Sequence, residues 1–244
     1  MEEWRYRELY EIEDRHWWFR SRRRLVAALL RRAAPPSTAR ILDAGCGTGR
    51  NLVDYARLGA AEGVDASAEA VEFCHRRGLS GVRRAPLEDL PFEDGRFDLI
   101  VATDVIEHLD DDVRALTELW RVAGPDARLA VTVPAYRWLW SAHDESLHHH
   151  RRYTAPRLAA AMRAAGWQPD VTTYLFATML PAVAAVRGAR RVAGDGDGAS
   201  DLELGPPSLN RLLELPARGE ARVIARGGRL PAGVSVGMVA RPVP

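Results

Sequence analysis

The chain has 244 residues, 47% of them hydrophobic, which is enough to bury a core and excludes a disordered polypeptide. Its 34 basic residues, all arginine, nearly balance 33 acidic ones, and a net charge of +1 gives no overall field to draw nucleic acid or an acidic membrane. Two cysteines, Cys46 and Cys74, are too few for a disulfide framework and suit a reducing cytoplasm.

Residues 1–37 open with "MEEWRYRELYEIEDRHWWFRSRRRL", charged from the start and without the apolar core of a secretory signal. Short apolar runs at 41–44, 63–65, 97–102 and 129–133 suit buried parallel strands. Between them, residues 51–58, 68–77 and 111–122 have the spacing and length of helices. A helix over 156–165, a strand over 168–173 and a last strand over 234–241 follow. The alternation predicts a single α/β domain, doubly wound and Rossmann-like, with a mostly parallel sheet. The stretch 175–232 is long for a connection, contains the polar break "GDGDGASD", and reads as a helical insertion that caps something. Within it "YLFATMLPAVAAV" is 13 residues, too short to span a bilayer. Followed by "RGARR", it could lie on one, which makes 175–191 a candidate for peripheral membrane contact.

The first predicted strand runs into "ILDAGCGTGRNL", where an acid, Asp43, precedes Gly45, Cys46, Gly47 and Gly49. Residues without a Cβ let backbone approach a ligand closely, and the following helix aims its N-terminus at the same place. The spacing is G-x-G-x-G rather than the G-x-G-x-x-G of a dinucleotide loop. A preceding acid disfavours phosphate and suits a ligand bearing an ammonium group. Asp65 ends the second strand about 20 residues on, where such folds place the carboxylate that binds ribose hydroxyls. A nucleoside joined to an amino acid satisfies both acids.

These motifs resemble those of the class I S-adenosylmethionine-dependent methyltransferases. "ILDAGCGTGRNL" is similar to the family's first motif and "GVDAS" to its ribose-binding segment. "LEDLPFEDGRFDLIVATDVIEHL" is similar to the adenine loop, fourth strand and following helix, and "LWRVAGPDARLAVTVPAY" to the fifth-strand region. The resemblance spans residues 38–135 and implies a seven-stranded sheet with helices on both faces. It implies a cofactor-binding core over 38–174, a helical lid over 1–37, the insertion at 175–232 and the last strand in 233–244. S-adenosylmethionine would be held by Asp43, Gly45, Cys46 and Gly47 at its methionine part, by Asp65 and Ala66 at the ribose, and by Leu87 and Glu88 at the adenine. Pro86 departs from the family, where an acid or other polar residue is common. "HWWFRSRRRL" resembles lids in which an aromatic residue and an arginine close over the cofactor, here Trp18 and Arg24, or Arg22 or Arg23 in its place.

"TDVIEHL" puts Thr103 and Asp104 beside the reactive methyl, and if Val105 begins a helix, Asp104 and His108 share a face. It resembles the E-x-x-E-H segment of demethylubiquinone O-methyltransferases, with Asp104 for the first Glu. That resemblance leaves three roles open for Asp104, Glu107 and His108: packing, a general base for a hydroxyl, or ligation of a divalent ion. "SAHDESLHHHRRYT" resembles a loop over the substrate mouth, with His143, Asp144, His150, Arg152 and Tyr153 as candidates for substrate binding or proton transfer. Three consecutive histidines in an extended chain cannot all turn to one zinc ion. The expected activity is methyl transfer to a small-molecule acceptor, a hydroxyl of a natural product, lipid or quinone-like compound. Transfer to nitrogen or carbon, or a cofactor-binding cyclase or silent partner, are the alternatives. No "[DNS]-PP-[YFW]" stretch follows the fourth strand, which argues against nucleic acid.

Overall fold

The computed structural model describes residues 3–193 and 207–243. In chain order the elements are α1 (Glu3–Ile12), α2 (Trp17–Ala33), β1 (Ala39–Ala44), α3 (Arg50–Tyr55), β2 (Gly59–Asp65), α4 (Ala68–Arg76), β3 (Val82–Arg84) and β4 (Phe97–Thr103). After these come α5 (Asp112–Arg121), β5 (Ala123–Pro134), α6 (Ala142–Ser146), α7 (Ala155–Ala164), β6 (Trp167–Leu175), α8 (Leu180–Ala193), α9 (Pro207–Ala225) and β7 (Ser235–Pro242). The seven strands lie in the order β3-β2-β1-β4-β5-β7-β6. All neighbours are parallel except β7, which runs antiparallel to both β5 and β6.

Alternation along each strand divides the core between two faces. On one face Leu42, Ala44, Ile100, Ala102 and Val131 pack against α5 and α7 through Leu116, Leu119, Leu158 and Met162. On the other, Ile41, Leu99, Val101 and Ala130 pack against α2 and α9 through Leu25, Leu29, Ala221 and Ile224. Both faces of β1 and β4 are therefore buried, which is why these strands read as continuous apolar runs.

Several elements depart from their predicted bounds. The helix expected over 51–58 ends at Tyr55, residues 56–58 form a turn, and β2 begins at Gly59, before the strand expected from 63. β3 has only Val82 buried in a "VRR" segment and offers no periodic signal to read. No α-helix begins at Val105. Asp104 takes the left-handed conformation (φ 49°), which an Asp tolerates, and a single 3₁₀ turn covers Ile106–His108.

In the insertion, α9 packs on α2, where Asn210 Oδ1 accepts the Trp17 N–H at 3.1 Å and the buried Glu214 meets Arg20 at 3.1 Å. "GDGDGASD" lies outside the described residues. Among the described residues no helix is long and apolar enough to cross a membrane.

Candidate active site

The carboxyl ends of β1, β2 and β4 open into a cleft of about 490 Å³. Its floor is the turn after β1, where Gly45, Gly47 and Gly49 have φ of 75°, 53° and 78°. A side chain on Gly45 would drive into Val105, whereas one on Gly47 would meet only open space. Gly47 thus presents bare backbone to whatever fills the cleft. Asp65 fixes the turn: its Oδ2 accepts the Gly47 N–H and its Oδ1 the Ser67 N–H, each at 2.9 Å. Burial raises the Asp65 pKa, and these two hydrogen bonds oppose the rise.

Gly45, Cys46 and Gly47 line this cleft, as do Asp65 with Ala66, Leu87 with Glu88 beside Pro86, and Thr103. Asp43 does not line it. It lies beneath the turn, fully buried, with neither carboxylate oxygen hydrogen-bonded within the protein. Burial first, and then the charge of Asp65, push its pKa up to about 8. An uncompensated buried acid under a glycine turn suits a cationic ligand above it.

The wall opposite the sheet comes from α1 and α2. Tyr6 stands beside Asp65 and Ser67. Glu13, between the two helices, accepts from the Thr48 hydroxyl at 2.6 Å and from Arg77 at 2.5 Å, tying the N-terminal segment to the glycine turn. Arg22 reaches the end of β4, donating to the Thr103 carbonyl at 3.0 Å and pairing with Asp104 at 2.6 Å. Arg23 also lines the cleft. Arg24 does not: its half-exposed side chain turns towards Glu214, 3.8 Å away. Trp18 stacks on Phe176 with ring centroids 4.0 Å apart and lines a different cavity.

That second cavity, about 190 Å³, shares Leu9, Phe19, Arg22, Asp104 and His108 with the first. Trp18, Glu107, His143, His149 and Arg152 are among its other walls. Glu107 is fully buried with neither oxygen hydrogen-bonded, and burial and Asp104 raise its pKa well above the usual value. Burial and the neighbouring His149 push His108 down to about 3. The loop 141–152 is held by Asp144, a buried carboxylate gripped by Arg152 at 2.7 and 3.0 Å.

Two predicted catalytic residues are elsewhere. Tyr153 is fully buried in the core, its hydroxyl donating to Asp112 at 2.5 Å, and lines neither cavity. His150 turns outward to the exposed Asp110 at 2.8 Å. The residue missed was His149, which the flanking histidines hid in the sequence. Of the predicted ion set, Glu107 and His108 converge but Asp104 does not. The Asp104 carboxylate is taken by Arg22, and among the described residues the acid and imidazole groups that meet are Glu107, His108 and His149, within 4.8 Å of one another. Nor does any described residue of 175–232 line either cavity, so the insertion supplies a supporting layer on α2 and the wall over the site comes from residues 5–23.

Comparison with known proteins agrees with this geometry. A family model described as a methyltransferase domain matches residues 42–131. The chain is 32% identical over 162 residues to a ubiquinone biosynthesis O-methyltransferase of Xanthomonas axonopodis pv. citri, covering 58% of this chain and 68% of that protein. It is 33% identical over 151 residues to a demethylmenaquinone methyltransferase of a Roseiflexus species, covering 58% and 60%. Among solved structures, the cyclase SpnF superposes with a TM-score of 0.60 at 23% identity, over 91% of this chain and 82% of that one. A geranyl diphosphate C-methyltransferase from Streptomyces coelicolor A3(2) gives 0.58 at 18%, over 89% and 80%. Fold and site thus define a class I methyltransferase architecture. The chain belongs to the S-adenosylmethionine-dependent methyltransferases. It spans between 45% and 68% of the length of three curated relatives that it matches.

Proposed function

We propose that the chain methylates a hydroxyl group of a small, ring-bearing, quinol-like acceptor seated in the second cavity. The observation that carries this reading is the wall shared by the two cavities, at Asp104, His108 and Arg22, which puts an acceptor next to the cofactor cleft. Trp18 and Phe19 offer it flat apolar surface, and the imidazoles beyond offer proton acceptors, which methylation of oxygen needs and methylation of an amine does not. The similarity to relatives named for ubiquinone, menaquinone and tocopherol chemistry supports the same acceptor class.

S-adenosylmethionine supplies an activated methyl on a sulfonium. The chain's own part is therefore mostly placement. The turn around Gly47 and the Asp65 carboxylate set the depth of the nucleoside, Asp43 lies buried beneath that turn, and Arg22 braces Asp104 at the junction. Incubation with methyl-tritiated cofactor and, separately, 4-nitrocatechol, hydroquinone and a primary alkylamine tests the reading. Label is expected in the first two. Label in the amine alone would overturn the choice of oxygen, and label in none would favour a fold used without transfer.

A further inference from the structure

We propose that His149, held by Asp144, is the base that takes the proton from the acceptor hydroxyl. The inference rests on the hydroxyl reading above and adds the residue that performs its proton step. α6 ends at Ser146, and His148 then adopts the left-handed conformation (φ 55°). The chain reverses there. His149 turns in, its backbone N–H donating to the Asp144 carbonyl at 2.9 Å, while His150 turns out with its N–H on the Glu107 carbonyl at 2.8 Å. Arg151 anchors the same loop by donating to the Leu109 carbonyl at 2.9 Å and the Asp110 carbonyl at 2.6 Å. The backbone on both sides of His149 is therefore pinned, and its side chain is only 7% exposed, in the wall of the second cavity.

His149 Nδ1 lies 2.9 Å from Asp144 Oδ1. Burial alone would raise Asp144, yet hydrogen bonds from His149 and Arg152 hold its carboxyl well below the usual carboxylate range. An ionised carboxylate can only accept, so the neutral imidazole carries its proton on Nδ1 and leaves Nε2 with a lone pair. This is the arrangement by which a carboxylate fixes the tautomer of a general base.

The other candidates in the cavity are worse placed. His108 meets the His149 ring edge-on with centroids 4.6 Å apart, and its hydrogen bond to the Leu147 backbone is outweighed by burial, which leaves it a feeble base. Burial, and after it the charge of Asp104, raise the Glu107 pKa well above the usual carboxylate range, and neither of its oxygens is hydrogen-bonded among the described residues. The remaining charged or titratable groups that face the site are His143 from α6, Arg5 and Glu8 from α1, Arg22 from α2, and Asp104 after β4. Arg152, which also lines the cavity, and, from α8, Arg187 at 3.9 Å are the cations at Asp144 itself. In the reaction the oxygen–carbon bond forms as the carbon–sulfur bond breaks and its electron pair goes to sulfur. The hydroxyl proton passes to His149 Nε2 and then to solvent. Asp144 acts through His149 and is a positioning residue.

Nitrogen-15 histidine spectra of the protein bound to S-adenosylhomocysteine test the pair without any acceptor. Neutral His149 is expected with its proton on Nδ1, a preference that Asp144→Asn reduces. A proton on Nε2, or spectra indifferent to Asp144→Asn, would overturn the proposal. The second arm follows the absorbance of 4-nitrocatechol, which changes when the catechol ionises, added to the same complex. Wild type should bind it ionised at a pH where the free probe is neutral. His149→Gln, with S-adenosylhomocysteine affinity unchanged, should bind it neutral and lower the ionised fraction by about tenfold or more, one pKa unit or above. Ionisation that survives in His149→Gln, or that disappears with a chelator and returns with magnesium, rejects His149 as the base. A complex that takes up no 4-nitrocatechol overturns the hydroxyl reading itself, and the proton step falls with it. If His149→Gln does not fold, the wild-type spectra decide.

Discussion

The two cavities meet at Asp104 and His108 but are made by opposite means. The cofactor cleft is a product of backbone: three glycines in the left-handed region, the ends of three parallel strands, and one carboxylate that grips two amides. The second cavity is a product of side chains, brought from α1 and α2, the 3₁₀ turn, the loop after α6 and the start of β7. A site made of backbone is fixed once the sheet forms. One made of side chains depends on distant segments docking, and each contact can fail separately.

If this contrast holds, damage to the walls of the second cavity should cost the most stability and spare binding in the first. Asp144→Ala leaves Arg152 buried without its partner and is expected to cost about 3–5 kcal/mol in denaturant unfolding. Calorimetry with S-adenosylhomocysteine at low temperature, on the protein still folded, should show near-normal affinity. Conversely, Asp65→Ala should weaken that affinity by about 10- to 100-fold, through lost charged hydrogen bonds and a loosened Gly47. An unchanged affinity would mean that the turn holds its shape without the carboxylate.

The third test uses the buried acid. Asp43 is raised from its unfolded value of 3.8 to about 8, so between those limits the folded protein holds a proton that the unfolded chain has lost. Its contribution to stability is full below the lower limit and is lost as pH rises through the upper one, by less than about tenfold in the folding constant per pH unit. Asp43→Asn should flatten the fall in ligand-free stability between pH 5 and 8. An identical slope would show that Asp43 is ionised in the folded protein. The smallest effect is expected at Arg24→Ala, which breaks only a half-exposed contact with Glu214 and should leave affinity within about twofold, about 0.4 kcal/mol. Arg22→Ala, which releases both Thr103 and Asp104, should weaken binding by more.

The same contrast explains what could be read in advance. The glycine turn, the acid ending β2 and the adenine loop are contiguous patterns, and the residues they nominated line the cleft, apart from Asp43, which is buried beneath the turn. Arg24 was misplaced by helical phase. Along α2, Trp18 and Arg22 are four residues apart and share a face, whereas Arg20 and Arg24 share another that points to Glu214. A run of arginines carries no mark of which one faces in. Nor could "HHH" disclose that a left-handed His148 sends one neighbour inward and keeps the other out. Tyr153 shared a motif with residues of the second cavity but is held by packing and by Asp112.

The position of β7 has a consequence for synthesis. It is seventh in sequence but is inserted between β5 and β6, which makes it the only partner of β6 among the described residues. A nascent chain that has left the ribosome only as far as residue 234 therefore holds five aligned strands with an open edge at β5, and a sixth with nothing to pair with. Val236, Met238 and Ala240, which fill one face of the core, are also still absent, so the domain gains its last central strand only when 235–242 emerges.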